Sequence, residues 1–377
     1  MKKTTRTPPP PNTTAPSPTA MADKKQRVEW IDFCRVYTAF CVILRHCDRH
    51  YGYPAYVIDL FNYRSLIFFF FLMAGYFTHT ARAGQWLDWG RARRLALPYL
   101  FWGLLALCTM QPLMHLGQVS HGDWSWLSPL TVVKELGLRS WCYWDYSNVP
   151  LWFLRTLILL SLASPLLQRL RAKPLLCLVL ICAAASDVLC ESDAETAAHY
   201  KRHGVAWLPF RTYESVLALG FYAGGLLLRR YATTEQLTAF VRSYAWLPVL
   251  GALALLPAVY CWGFYPPVQS SALVLLGVAT TLSLGCLCER YLPRLCHFIA
   301  QWGPAAFFVY VTHYLLLEGL RTLLTGRYGG SLSVWQAAWA PFAILAVSLA
   351  LYALLCRLAP GFMRLFALAP TAGQKST

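Results

Sequence analysis

The chain has 377 residues, of which 57% are hydrophobic and only 13% charged, and a formal net charge of +16. An ordinary soluble domain carries about 25% charged residues, so this composition excludes a soluble globular enzyme and makes lipid the solvent for most of the chain. The basic residues are spread over many short segments rather than one arm or face, which argues against a nucleic-acid partner.

The first 29 residues combine Pro8 to Pro11 with several Thr and Lys and lack an apolar core, so they predict a disordered, basic, Pro-rich cytosolic tail and no signal peptide. Met1 and Met21 both fit as the initiating residue. A helix needs about 20 apolar residues to span a bilayer. Windows of that kind lie at 30–49, 57–79, 95–116, 151–170, 174–190, 209–228, 244–264, 270–288, 302–323 and 335–357. They predict an all-α, polytopic membrane bundle of about ten transmembrane helices in one domain, 30–357, followed by a short cytosolic tail, 358–377. Continuous apolar runs such as Ser65 to Phe77 and Ala272 to Leu287 read as helices, not as the alternating strands of a barrel.

Lys and Arg in short loops stay on the cytoplasmic side. With the N-terminus inside, the inner connections hold Arg82 to Arg94, Arg169 to Lys173, Arg229 to Arg242, and Arg290 with Arg294. The outer ones hold only Lys134, Arg139, Lys201, Arg202, Arg321 and Arg327. Both termini are therefore expected in the cytoplasm, and the chain in the cell (inner or plasma) membrane.

The first helix is the most informative segment, because ionisable groups inside a membrane are costly and mark function by default. It reads Glu29-Trp-Ile-Asp32-Phe-Cys-Arg35, then an apolar stretch, then Arg45-His46-Cys47-Asp48. At 100° per residue Arg35 and His46 fall within about 20° of one another, roughly 16 Å apart along the axis, with Asp32 one turn below Arg35. One reading has Arg35 hold a phosphate or order Asp32 while His46 transfers a proton. The other leaves Asp32 and Arg35 as a local i,i+3 pair and His46 as an interfacial histidine.

The second helix ends in the aromatic run Phe68 to Phe77 with Gly75 at a close helix contact. Arg91, Arg93 and Arg94 lead into the third, with Pro98 expected in its first turns; they serve positive-inside topology or grip donor phosphates. The fourth opens Leu151-Trp152-Phe153-Leu154 beside an intramembrane Arg155, and Arg211 with Glu214 at the start of the sixth reads as a one-turn pair. The ninth carries Tyr310, His313 and Glu318. Its histidine is equally a structural hydrogen-bonder or a ligand-binding group. Thirteen cysteines follow no metal spacing, and Cys286-x-Cys288 has no second pair. Cys47, Cys142, Cys190 and Cys261 fall at outer positions where a disulfide can form, although four separate thiols are the simpler expectation. No P-loop, Gly-x-Gly-x-x-Gly or serine nucleophile elbow is present.

Taken in order, Asp32-x-x-Arg35, His46, Phe68 to Tyr76, Arg91 to Tyr99, Leu151 to Leu154 through Pro165, and Gly303 through Tyr310 to His313 resemble the membrane proteins of acyltransferase family 3. The resemblance covers the whole bundle and looks like the short stand-alone form. It implies an enzyme that moves an acyl group, by default acetyl, from cytosolic acyl-coenzyme A to a hydroxyl of a sugar or surface glycan. His46 becomes the catalytic base and Arg35 its essential partner. Asp32, Arg91, Arg93, Arg94, Trp152 and His313 become donor- or substrate-binding residues. The family's usual Ser-Gly after the second-helix aromatics is Ala74-Gly75 here, so the hydrogen bond of that serine is missing. The implied partners are the bilayer, acyl-coenzyme A and a glycan or lipid-linked sugar, with no nucleic acid, no metal and no tightly bound cofactor. Whether His46 deprotonates the hydroxyl directly or first takes the acyl group itself stays open.

The rival reading is a transporter or flippase of a polar or glycan-linked substrate, with Arg155, Arg211, Glu214 and His313 lining a path. It lacks paired, interrupted helices in two corresponding halves. A scaffold or sensor acting through the Trp-rich 117–150 loop is the third.

Overall fold

The computed structural model describes residues 28–47, 65–82, 84–114, 128, 151–203, 212–262, 271–326 and 332–368. Among them every regular element is helical. In chain order these are α1 (Glu29–Cys47), α2 (Ser65–Tyr76), α3 (Trp89–Met114), α4 (Trp152–Arg169), α5 (Ala172–His203), α6 (Thr212–Tyr231) and α7 (Thr234–Tyr244). They continue as α8 (Trp246–Trp262), α9 (Ser271–Tyr291), α10 (Pro293–Ala300), the 3-10 turn η1 (Gly303–Ala305), α11 (Ala306–Thr325), α12 (Val334–Leu358) and α13 (Pro360–Phe366).

Local chemistry sets many of these boundaries. In α1, Glu29 and Asp32 stand in the first turn and Arg45 and His46 in the last, each opposite the favourable end of the helix dipole. Reciprocal capping boxes, Thr233 with Gln236 and Ser333 with Gln336, start α7 and α12, and α11 ends on Gly326 at φ +71°. The third helix begins earlier than expected. The Asp88 carboxylate accepts the Arg91 N–H at 3.0 Å as an N-cap. The basic run therefore lies inside α3, and Pro98 falls in the helix body rather than its first turns. The short helices α7, α10 and α13 are also additions to the sequence expectation, being too brief to register as spans. Residues 360–366, expected in a tail, form α13, whose Phe366 carbonyl accepts the Trp102 indole N–H at 2.7 Å.

Among the described residues, three helices are long and apolar enough to cross a bilayer, Ala172–Cys190, Ser271–Tyr291 and Trp335–Leu358; a fourth is Thr234–Tyr244 with Trp246–Leu255, if this pair, bent by 47°, is one span. The expected ten windows are thus met only in part by length and composition. In four of the other windows charge sits inside the helix. Asp32, Arg155, Glu214, Glu318 and Arg321 lie within α1, α4, α6 and α11, and all five are buried. The helices that pass keep large apolar side chains on the outside, including Ile181 and Val188 of α5 and Trp335, Phe342 and Leu358 of α12. An apolar surface of that extent on a soluble protein would aggregate, so the chain is a membrane protein.

At the centre stands α1, packed against α2, α9, α10, η1, α11 and α12. Beside it α2 and α6 cross with their backbones almost in contact. A Cβ on Gly75 would lie 2.1 Å from the Tyr222 carbonyl oxygen, and one on Gly225 would lie 2.1 Å from that of Leu72. Only glycine permits this approach. The crossing fixes α2 as a wall against which the aromatic side chains of α4 pack.

Candidate active site

Two polar clusters occupy the two ends of α1. At its N-terminal end Arg35 Nη1 donates to Asp32 Oδ1 at 2.8 Å, the aspartate side chain buried and the arginine 37% exposed. Gly303 of η1 lies directly against this carboxylate: a Cβ there would come within 2.6–2.7 Å of Asp32 Cβ, Cγ and Oδ1. The glycine therefore fixes the depth at which Asp32 sits. Further out, His297 of α10 meets Glu29 at 2.8 Å.

At the C-terminal end the His46 ring lies 5.1 Å, centroid to centroid, from His313 and 5.7 Å from Tyr314, both on α11. His313 is fully buried, and its Nδ1 lies 2.6 Å from the Tyr310 carbonyl oxygen. A carbonyl only accepts, so Nδ1 carries the proton and, in the neutral ring, Nε2 presents a bare lone pair. That Nε2 has no hydrogen-bond partner among the described residues. Below it the Arg321 guanidinium binds two groups. Nη1 donates to Glu318 Oε1 at 2.5 Å and Nη2 to the His46 carbonyl at 2.8 Å. Both side chains are buried.

Aromatic packing joins this cluster to α4 and α2. Tyr310 lies 5.9 Å from His313 and 5.1 Å from Phe153, and Phe153 lies 4.8 Å from Phe71. Trp152, the residue singled out in the sequence, is buried against Phe71 at 6.2 Å. Its neighbour Phe153 is the one that reaches toward the histidines. Between the two ends of α1, the hydroxyl of Thr38 is fully buried with no partner among the described residues. It falls on the stripe that also carries Arg35, and sits about 4.5 Å further along the axis.

The structure brings Asp32 to Arg35 and His46 to His313. The basic run stands apart from both. Arg91 is committed to the end of α2, donating to Thr78 Oγ1 at 2.6 Å and to the Ala74 carbonyl at 3.3 Å, while Thr78 also bonds Tyr222. Arg93 is exposed, and Arg94, also exposed, reaches only the Gly90 carbonyl of its own helix. Some placements differ from the sequence reading or fall outside the described residues. Arg321, expected in an outer loop, belongs to α11 and is buried, because its charge is neutralised by Glu318. Arg211, the expected partner of Glu214, and Cys142 lie outside the described residues, as does the side chain of Cys261; Cys47 and Cys190 are buried. The residues that sequence reasoning did not assign to the site are Thr38, Phe153, Tyr314 and Arg321. The one available signal was Glu318-x-x-Arg321, an i,i+3 charge pair inside an apolar run. Among the described residues, no group of three or more His, Cys, Asp or Glu is placed to hold a metal ion.

The sequence model of the acyltransferase domain of acyltransferase family 3 matches residues 28–357, and the chain belongs to that family. No curated protein and no solved structure matches the chain.

Proposed function

We propose that this membrane acyltransferase transfers an acyl group, acetyl by default, from acyl-coenzyme A to a hydroxyl of a sugar or surface-glycan acceptor. The observation that carries the reading is the His46–His313 pair at the end of α1, a titratable side chain set against a buried acceptor nitrogen in an aromatic wall. Proton transfer to a positioned imidazole is what an alcohol needs before it attacks a thioester. In this reading His46 takes the proton of the acceptor hydroxyl as its oxygen bonds to the thioester carbonyl carbon. The carbon–sulfur bond then breaks, and the His46 proton passes to the departing thiolate. His313, held with its proton on Nδ1, offers Nε2 to orient His46 or the incoming hydroxyl. Arg35, fixed by Asp32, and the exposed Arg93 and Arg94 supply positive charge to the donor phosphates. Trp152 and its neighbours shape the aromatic wall. The bundle crosses the cell membrane about ten times with both termini in the cytoplasm, so donor phosphates stay in water while the pantetheine arm reaches inward along the roughly 16 Å between Arg35 and His46.

Two measurements test this. Purified protein should release free thiol from acetyl-coenzyme A when a glycan acceptor is added. Mass spectrometry of envelope glycans should show one acyl group lost from cells lacking the gene. Identical glycans together with no thiol release would remove the reading.

A further inference from the structure

We propose that Arg321 is a positioning residue, which sets the place of the His46 ring by holding the last turn of α1 through its main chain. The inference rests on the reading of His46 as the base, and goes beyond it by naming what keeps that base in place.

The His46 carbonyl lies in the last described turn of α1. Arg321 donates to it from another helix, 275 residues further along the chain, at 2.8 Å, and a cation beside carbonyls that point along a helix axis is favoured by the helix dipole. Arg321 is fixed there by Glu318, one turn back on α11, and both side chains are more than nine-tenths buried. A buried ion pair is weak evidence for stability, because two well-packed apolar residues of the same volume usually serve folding as well or better. What an apolar pair lacks is a donor for the α1 carbonyl. The same helix also presents His313 and Tyr314 to the His46 ring. The ring's neighbours and the clamp on its main chain are therefore one rigid body, and α1 cannot slide or fray at this end without breaking the Arg321 contact.

The test uses the full-length protein in detergent or nanodiscs, with coenzyme A release as the rate. Glu318→Leu with Arg321→Met removes both charges together and leaves none buried alone, so the variant should accumulate and unfold like the original. Its kcat should fall about a hundredfold, the scale expected for a catalytic group displaced by roughly 1 Å, with KM for both substrates within about twofold. Arg321→Lys keeps a cation for Glu318 but has no planar fork for two acceptors. It should fold normally and lose about tenfold in kcat, a partial rescue relative to the double variant. Either variant at the original rate, or a change confined to KM, overturns the proposal. A second readout needs no activity: carbethoxylation of His46 by diethyl pyrocarbonate, followed by mass spectrometry, should speed up severalfold in Arg321→Lys. An unchanged modification rate also overturns it. His46→Ala runs beside these as the control for the parent reading. If it retains full activity, the base assignment fails, and the modification rate alone decides whether Arg321 clamps α1.

Discussion

On α1 Asp32 and Arg35 form an i,i+3 ion pair whose arginine is 37% exposed, and on α11 Glu318 and Arg321 form another with both partners buried. The spacing and chemistry match, but the surroundings differ. A helix-surface pair contributes about 0.3–0.5 kcal/mol and is screened by salt. A buried pair contributes little net stability, yet loss of one partner leaves an uncompensated charge that costs about 3–5 kcal/mol. The first pair has a free edge with which to meet a ligand. The second is closed, and its spare donor goes to the main chain of His46. In the proposed reading, two similar sequence patterns serve contact with substrate at one end of α1 and rigidity at the other.

The largest expected effect falls where the rigid end meets chemistry. His46→Ala should abolish coenzyme A release while the protein accumulates near its normal level, since the ring is only half-buried. Retention of more than a few per cent of the rate, measured at equal protein, would take His46 out of the catalytic role. The two ion pairs can then be set directly against one another. Arg321→Ala alone should destabilise the folded protein by about 3–5 kcal/mol, read from denaturant or thermal unfolding in detergent. Arg35→Ala should cost less stability than Arg321→Ala, because the Arg35 guanidinium is partly exposed whereas both partners of the second pair are buried, yet sharply lower activity. Equal unfolding midpoints for these two variants would abolish the distinction drawn between the ends of α1.

How far the site was legible follows from the same contrast. Asp32, Arg35 and His46 lie on one helix, so a 3.6-residue period was enough to place them on one face. The clamp was not legible, because Arg321 meets His46 across 275 residues and only packing reveals which helix lies beside which. Arg321 was counted with the outer connections although the 302–323 window reaches past it, and Glu318 one turn away lets its charge stay buried. Asp88 was missed for a related reason: a window drawn from apolar residues begins at 95, whereas the helix begins at Trp89, just after its cap. Trp152 lies in α4, but that its neighbour Phe153 is the residue packed against Tyr310 needed the structure to show.

At the open end, the contact of Gly303 with Asp32 gives a smaller effect. A methyl group at Gly303 would sit 2.6 Å from Asp32 Cβ, so α1 and η1 must separate or the carboxylate must turn away. Overpacking of this kind costs about 1–3 kcal/mol. Gly303→Ala should lower the unfolding midpoint modestly and reduce activity, because Asp32 can no longer hold Arg35. An unfolding midpoint and a rate both equal to those of the unmodified protein would show that η1 does not set the position of Asp32.

The smallest effect separates the arginines of α3, which look alike in sequence. Arg91 binds Thr78 and Ala74 at the end of α2, so Arg91→Gln should cost about 1 kcal/mol of stability. Arg93 and Arg94 are exposed, and replacing both with Gln should leave unfolding unchanged. If they meet donor phosphates, the apparent KM for acyl-coenzyme A should rise severalfold while that for the acceptor stays put. Binding energy that is the same in the ground state and the transition state enters KM and leaves kcat alone. The difference between original and variant should also shrink as salt is raised, because exposed charges about 10 Å apart are already screened at 0.1 M. If donor KM is unchanged and only membrane insertion or orientation suffers, these two arginines are a topology signal. Positive charge for the donor must then come from Arg35 at the open end of α1.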